Sequence, residues 1–318
     1  MNEYKLLGRT ACSMAERAGD CGQADYAVNV GADLVTAELE VCKRGGLSVE
    51  RTQVKYVSFS NIPIPHGCSA RLGGVSDGPY ASLNIGQSTD DAPSFVHENR
   101  QRLGAAVGVS PVSLLDMNHG TRVVRFDSLP HGLHKGDACI TNVPGLPLMI
   151  TTADCVPLIM YDGVHGAIGL THAGWRGTAA KICQYTLKAL RDNYGTDAAD
   201  VQVAVGPSIG PCCFEVGAEV AEVFAAVFPA QKSWLIAGDM LKARQEMLQN
   251  QKKNVNENKK YFVNLWRANV LALLEAGVLP ANIRLSGLCS MCHSGLFYSY
   301  RRDKRVTGRI ATLAMLPS

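Results

Sequence analysis

No run of about 18 apolar residues occurs anywhere in the 318-residue chain, so it offers nothing that would span a bilayer as a single helix. The first twenty residues lack a continuous apolar stretch behind their charges, and no secretory signal is expected. Net charge is nearly absent: 31 Lys and Arg against 28 Asp and Glu leave +3. The basic residues are dispersed apart from Arg301–Arg305 and Lys252–Lys260, which argues against a nucleic-acid partner. No repeat recurs at a fixed period. The eleven cysteines are odd in number and follow no leader, so reduced thiols are expected rather than a disulfide framework. A cytoplasmic protein without a membrane or nucleic-acid partner is the expectation these absences leave.

What is present centres on Thr151–Thr178, TTADCVPLIMYDGVHGAIGLTHAGWRGT. Two short apolar runs, Val156–Met160 and Ala167–Leu170, flank the polar turn Tyr161–Gly166, and their length suits buried strands better than helices. Pairing them as a hairpin brings Cys155, before the first strand, close to His172, after the second. Met117-Asn118-His119-Gly120 offers a third ligand upstream. One thiolate and two imidazoles form a set that holds catalytic zinc and leaves a position open. Spacing alone keeps three readings open: that metal site, a Cys155 nucleophile with His172 as its base, and a buried thiol beside two strand-end histidines.

The rest of the chain reads as a mixture of strands and helices. Residues 1–53 are expected to be a variable, loosely packed N-terminal extension, with a helix over Ala32–Leu39. The principal unit is expected over 54–318. Strands are predicted at Val54–Phe59, Val112–Leu115, Leu148–Ile150, Val201–Val205, Ile283–Leu285 and Ile310–Leu316. Helices are predicted at Asp91–Val107, Lys181–Asn193, Val220–Phe228 and Leu265–Ala276, with Glu98, Asn99 and Arg100 on a solvated or packing face. Gly238–Lys260 is polar and rich in Gln, Asn and Lys, as in an exposed insertion. Alternating elements with short hairpins imply an α+β fold: a single globular domain with mixed sheets and outer helices.

Arginine supplies the candidate anion ligands, because its planar fork pairs two oxygens at once. Arg71 lies in the glycine-rich segment His66–Gly86, where small residues would let the backbone approach a ligand, and Arg176 follows His172 by four residues. Each has the alternative of a solvated or structural ion pair. Trp175 is placed either to stack on a flat ring or to pack. Cys289-Ser290-Met291-Cys292-His293 matches a haem-attachment pattern, but that chemistry needs an export route. Cys289 and Cys292 with Cys212 or Cys213 would make a zinc knuckle, which their spacing does not support. The His-x-Glu and Cys-x-x-Cys pair of zinc nucleobase deaminases is absent around Cys155.

Taken together and in order, HGCSARLGGVSDGPYASLNIG, TADCVPLIMYD, HAGWRGT, GPSIGPCCFEVG and LFYSYRRD resemble the laccase-domain family, also called the multicopper polyphenol oxidase or purine nucleoside phosphorylase family. The resemblance runs from about Val54 to the C-terminus. It implies an α+β domain with a metal pocket on His119, Cys155 and His172. It further implies phosphorolysis of adenosine, inosine, guanosine and S-methyl-5′-thioadenosine to the base and a ribose 1-phosphate, with hydrolytic deamination of adenosine besides. Zinc is the implied cofactor, with copper as the alternative. Nucleosides and phosphate are the implied partners of a monomer or weak homo-oligomer. Arg71 and Arg176 become the candidate phosphate ligands, and Asp154 joins Cys155 as a candidate catalytic residue, with turn capping as its other role. A peptidoglycan-precursor amidase and a copper-dependent polyphenol oxidase are the alternatives. The second sits poorly with only eight histidines, since several coppers need many. Two departures from the family pattern stand out: Met117-Asn118 before His119-Gly120, and the long lead of residues 1–50.

Overall fold

The computed structural model describes residues 3–13, 28–42, 49–112, 115–229, 235–236 and 260–318. Two large sheets stack face to face. The first has six strands, all antiparallel, in the order Glu3–Ser13, Asp33–Cys42, Val49–Ser58, His66–Ser69, Ile310–Ala314, Leu148–Thr152. The second has seven, in the order Asn29–Val30, Ile283–Leu285, Gln202–Val205, Val156–Asp162, Ala167–Ala173, Ala138–Thr141, Val123–Arg125, and mixes parallel with antiparallel pairs.

The hairpin at the heart of the sequence explains why its strands are apolar without alternation. Val156, Leu158 and Met160 face a core shared with the helices Ile182–Tyr194, Ala218–Val227 and Leu265–Glu275. Ile159, Ile168 and Leu170 face the other way, into the layer between the sheets with Val57, Cys68, Ile150 and Phe297. Both faces are buried, so both must be apolar. A third core lies on the outer face of the six-stranded sheet, where Leu103, Ala106 and Val107 of the helix Pro93–Val107 meet Val35, Ala37 and Leu39. The layers share these cores and form one α+β domain. Gly108 and Gly195 end two of the helices in the left-handed conformation that glycine adopts without steric cost.

Residues 33–42 correct the expected helix at Ala32–Leu39. They are a strand in which Val35, Ala37, Leu39 and Val41 point inward while Glu38 is exposed. The period is two, so the apolar residues line one face only in a strand. Their full burial also departs from loose packing, and residue 53 falls inside the strand Val49–Ser58. Asn99 and Arg100 are interior rather than solvated. Asn99 is fully buried between Val75, Ser76 and Asn84, and Arg100 donates twice to the Ile85 carbonyl. The polar insertion expected at Gly238–Lys260 lies outside the described residues except for Lys260.

Candidate metal centre and adjoining cleft

The hairpin pairs Val156 with Ala173 and Pro157 with His172, so Cys155 and His172 stand at the same end of the sheet. His119 arrives from the loop after the strand Leu115–Asp116. One ligand atom from each of the three lies within 4.8 Å of the others. Cys155 Sγ is 3.9 Å from His119 Nε2, and the two imidazoles sit edge-on with centroids 5.0 Å apart. A tetrahedral zinc with Zn–S of ~2.3 Å and Zn–N of ~2.0–2.1 Å separates sulfur and nitrogen by about 3.6 Å. The three donors fit such an ion, and His119 is exposed at the cleft mouth, where a fourth position would meet substrate.

Asp137 assembles this set, and its role was missed in the sequence because nothing in DACITN marks it as more than a buried strand entry. Its fully buried carboxylate accepts from His172 Nδ1 at 2.9 Å, from His119 N at 2.8 Å and from Gly120 N at 2.7 Å. The first bond leaves His172 Nε2 as the ligand atom, as in carboxylate–histidine–metal arrangements. The others hold His119 at φ 63°, a conformation that a non-glycine residue keeps only when neighbours impose it. Burial alone would raise the Asp137 carboxyl. The His172 hydrogen bond and the Gly120 and His119 N–H groups outweigh it and hold the carboxyl below its ordinary value.

Charge within the set is strongly coupled. Burial pushes the Cys155 thiol up, but the adjacent His172 and the His119 hydrogen bond bring it down to about 6. Burial pulls His172 down, and the Cys155 sulfur and Asp137 raise it to about 9. Both shifts favour a thiolate beside an imidazolium in the absence of metal, and a cation binding here displaces the proton. In chelator-treated protein, alkylation of the Cys155 peptide should therefore run at a constant rate above pH ~6 and fall about tenfold per unit below it. A rate still climbing through pH 8–9, as for an ordinary thiol, would contradict this coupling.

Gly174 closes the set. A Cβ there would lie 2.7 Å from His119 Cδ2 and 3.3 Å from Cys155 Sγ, so the HAGWRG segment needs glycine at this point. Gly174→Ala should keep the fold but displace His119, lowering turnover by ~10²-fold, as ångström-scale misplacement does. Turnover within twofold of wild type would show that the contact is not limiting.

His119 and Cys155 open into a cleft of about 310 Å³ lined also by Asn118, Asp154, Trp175, Arg176, Ile209, Phe214 and Leu265, while His172 is buried outside that lining. The predicted residues divide here. Arg176 lines the cleft, exposed and stacked 4.2 Å over Trp175. Arg71 is not in that lining: Nε donates to the Ala81 carbonyl, Nη1 to the Ser294 carbonyl, and the guanidinium lies 4.7 Å over the Tyr298 ring. The glycines beside it close onto protein. A Cβ at Gly73 would meet Gln53 O at 2.2 Å, and one at Gly74 would meet Ser82 O at 2.3 Å. Asp154 lines the cleft with φ 90°, its carboxylate accepting from Ser290 Oγ at 2.6 Å, Ser299 Oγ at 3.0 Å and Arg301 N at 2.7 Å. Burial raises its carboxyl above the ordinary range against those bonds. Arg301, outside that lining, donates from its side chain to Glu215 O and lies 5.5 Å over the ring of the cleft residue Phe214. A larger cleft of about 820 Å³, beside the helix Pro93–Val107, includes none of the three metal donors.

These features belong to a known class. Residues 65–317 match the multi-copper polyphenol oxidoreductase laccase family, and the chain is a member of it. A protein of Deinococcus radiodurans named purine nucleoside phosphorylase is 38% identical over 259 residues, covering 81% of this chain and 91% of the relative. Purine nucleoside phosphorylase YfiH of Escherichia coli is 34% identical over 260 residues, covering 80% and 96%. The crystal structure of YlmD from Geobacillus stearothermophilus superposes with a TM-score of 0.72 at 28% identity, covering 83% of this chain and 96% of that one. Among the described residues no helix is long and apolar enough to cross a membrane.

Proposed function

We propose that the chain is a zinc-dependent purine nucleoside phosphorylase. It would cleave adenosine, inosine, guanosine and S-methyl-5′-thioadenosine with phosphate, and would also deaminate adenosine hydrolytically. The observation that carries this reading is the convergence of His119, Cys155 and His172, the first two lining a cleft that also holds Trp175, Phe214 and Arg176. The names of the Deinococcus and Escherichia relatives support the purine nucleoside phosphorylase part of this reading. One thiolate with two imidazoles suits a single zinc, and the other metal-binding cluster among the described residues contains no histidine with which to extend the site to several coppers.

Zinc held by the three donors supplies Lewis acidity near neutral pH. The protein supplies the rest. Trp175 and Phe214 offer flat apolar surface for a purine. Arg176 is the phosphate ligand in this reading, stiffened by its stack on Trp175, with Arg301 as the second cation. Arg71 contributes by bracing the loop 71–82 against Ser294. Asp154 is the group that handles the proton in this reading, a carboxyl that lines the cleft and that burial raises above its ordinary value. Asp154→Asn should lower kcat by ~10²–10⁴-fold and remove one limb of the pH profile, with metal content unchanged. A smaller, pH-independent loss would reduce Asp154 to a turn-holding role. Adenosine incubated with and without phosphate tests the whole reading, since adenine should need phosphate and inosine should not.

A further inference from the structure

A second cluster lies apart from the three donors. Cys212 and Cys213 sit in the loop after the strand Gln202–Val205, and Cys289 and Cys292 in the loop after Ile283–Leu285. The two strands are parallel neighbours, and the pairing continues past their ends: Ser208 N donates to Leu288 O and Ser290 N to Ser208 O. Sequence separation hides this meeting, because some eighty residues lie between the cysteine pairs. The four sulfurs all lie within 4.8 Å of one another, and Cys292 Sγ is 3.5 Å from both Cys212 Sγ and Cys213 Sγ.

Those separations are far beyond a disulfide bond of ~2.05 Å. They are close to the edge of about 3.8 Å that four sulfurs define around a tetrahedral zinc with Zn–S of ~2.3 Å. Cys289-x-x-Cys292 alone has the local spacing of a zinc ligand pair, and the fold supplies the second pair that the sequence spacing does not. Gly210 N donates to Cys289 Sγ at 3.2 Å, a bond that favours a thiolate there. Gly210 is required for this approach, since a Cβ would meet Trp266 at 2.9 Å and Cys289 Cβ at 3.2 Å.

We propose that Cys212, Cys213, Cys289 and Cys292 form a second, structural zinc site that closes around its metal without an open position. Its effect on the cleft is positional. Ser290, held between two of the ligands, donates to Asp154, and Phe214, directly after Cys213, forms part of the cleft wall. Zinc here fixes both loops in register with the hairpin that carries Cys155.

The test is the zinc content of the full chain after reconstitution and desalting, for wild type, for the pair His119→Ala with Cys155→Ala, and for Cys292→Ser. About two zinc per wild-type chain are expected. The His119/Cys155 double variant should keep one, and cobalt(II) in its place should give the intense thiolate charge-transfer absorption of a four-sulfur site. Cys292→Ser should lose one zinc and melt at lower temperature. If that variant does not fold, the wild type and the double variant still decide the matter. A double variant that binds no zinc would overturn the proposal, as would a disulfide within the cluster in protein purified without oxidant. The outcome is independent of nucleoside turnover: a phosphorylase with one zinc refutes this site alone, and two zincs without turnover refute only the functional reading.

Discussion

Cys155→Ala should remove the catalytic zinc and lower adenosine phosphorolysis by ~10³-fold or more while the protein stays folded. The sulfur is one of three donors, and the charge stabilisation that a catalytic metal gives is several kcal/mol. At about 1.4 kcal/mol per factor of ten, its loss reaches that range. The side chain is small and stands at the edge of the cleft rather than in a packed core, so truncation leaves no large cavity. Metal analysis and turnover should fall together. A variant that loses zinc but keeps more than a tenth of wild-type turnover would separate metal from activity. One that keeps as much zinc as the wild type would mean Cys155 is not a ligand.

Asp137→Ala should be the more damaging change to the protein as a whole. It leaves His172 buried without its carboxylate, and it strips the acceptor from the N–H groups of His119 and Gly120. Removing one partner of a buried charged pair costs about 3–5 kcal/mol, and loss of such an orienting carboxylate weakens metal binding by ~10–100-fold. Denaturant unfolding and zinc titration measure the two effects separately. Asp137→Asn keeps the shape but replaces one oxygen by a donor that faces other donors. It should recover part of the stability and little of the zinc affinity. Equal recovery of both would reduce Asp137 to a packing role.

The hairpin and the meeting of Cys155 with His172 were legible in the sequence because strand periodicity and a short polar turn fix which residues meet. Cys155 and His172 needed no long-range information beyond that pairing. His119 needed more: its approach depends on Asp137, which gathers loop and strand through three kinds of hydrogen bond and leaves no pattern in composition or spacing. The strand at Asp33–Cys42 was misread because Ala, Leu and Glu favour helices locally, whereas pairing with two neighbouring strands decides the outcome. Arg71 stood out for its glycine surroundings, yet those glycines serve backbone-to-backbone packing. The cysteine cluster shows in the sequence only as a grouping that spacing does not support, for the opposite reason. Two cysteine pairs eighty residues apart meet only through the parallel register of the strands Gln202–Val205 and Ile283–Leu285.

The most direct test of zinc-dependent phosphorolysis is product analysis of adenosine incubated with purified protein, with and without phosphate, before and after chelator. Adenine and ribose 1-phosphate should appear only when phosphate is present, with ribose 1-phosphate matching the sum of adenine and hypoxanthine, stop when chelator removes the metal, and return with zinc. Adenine production that ignores chelator, or none at all from protein carrying its full zinc, would contradict the reading.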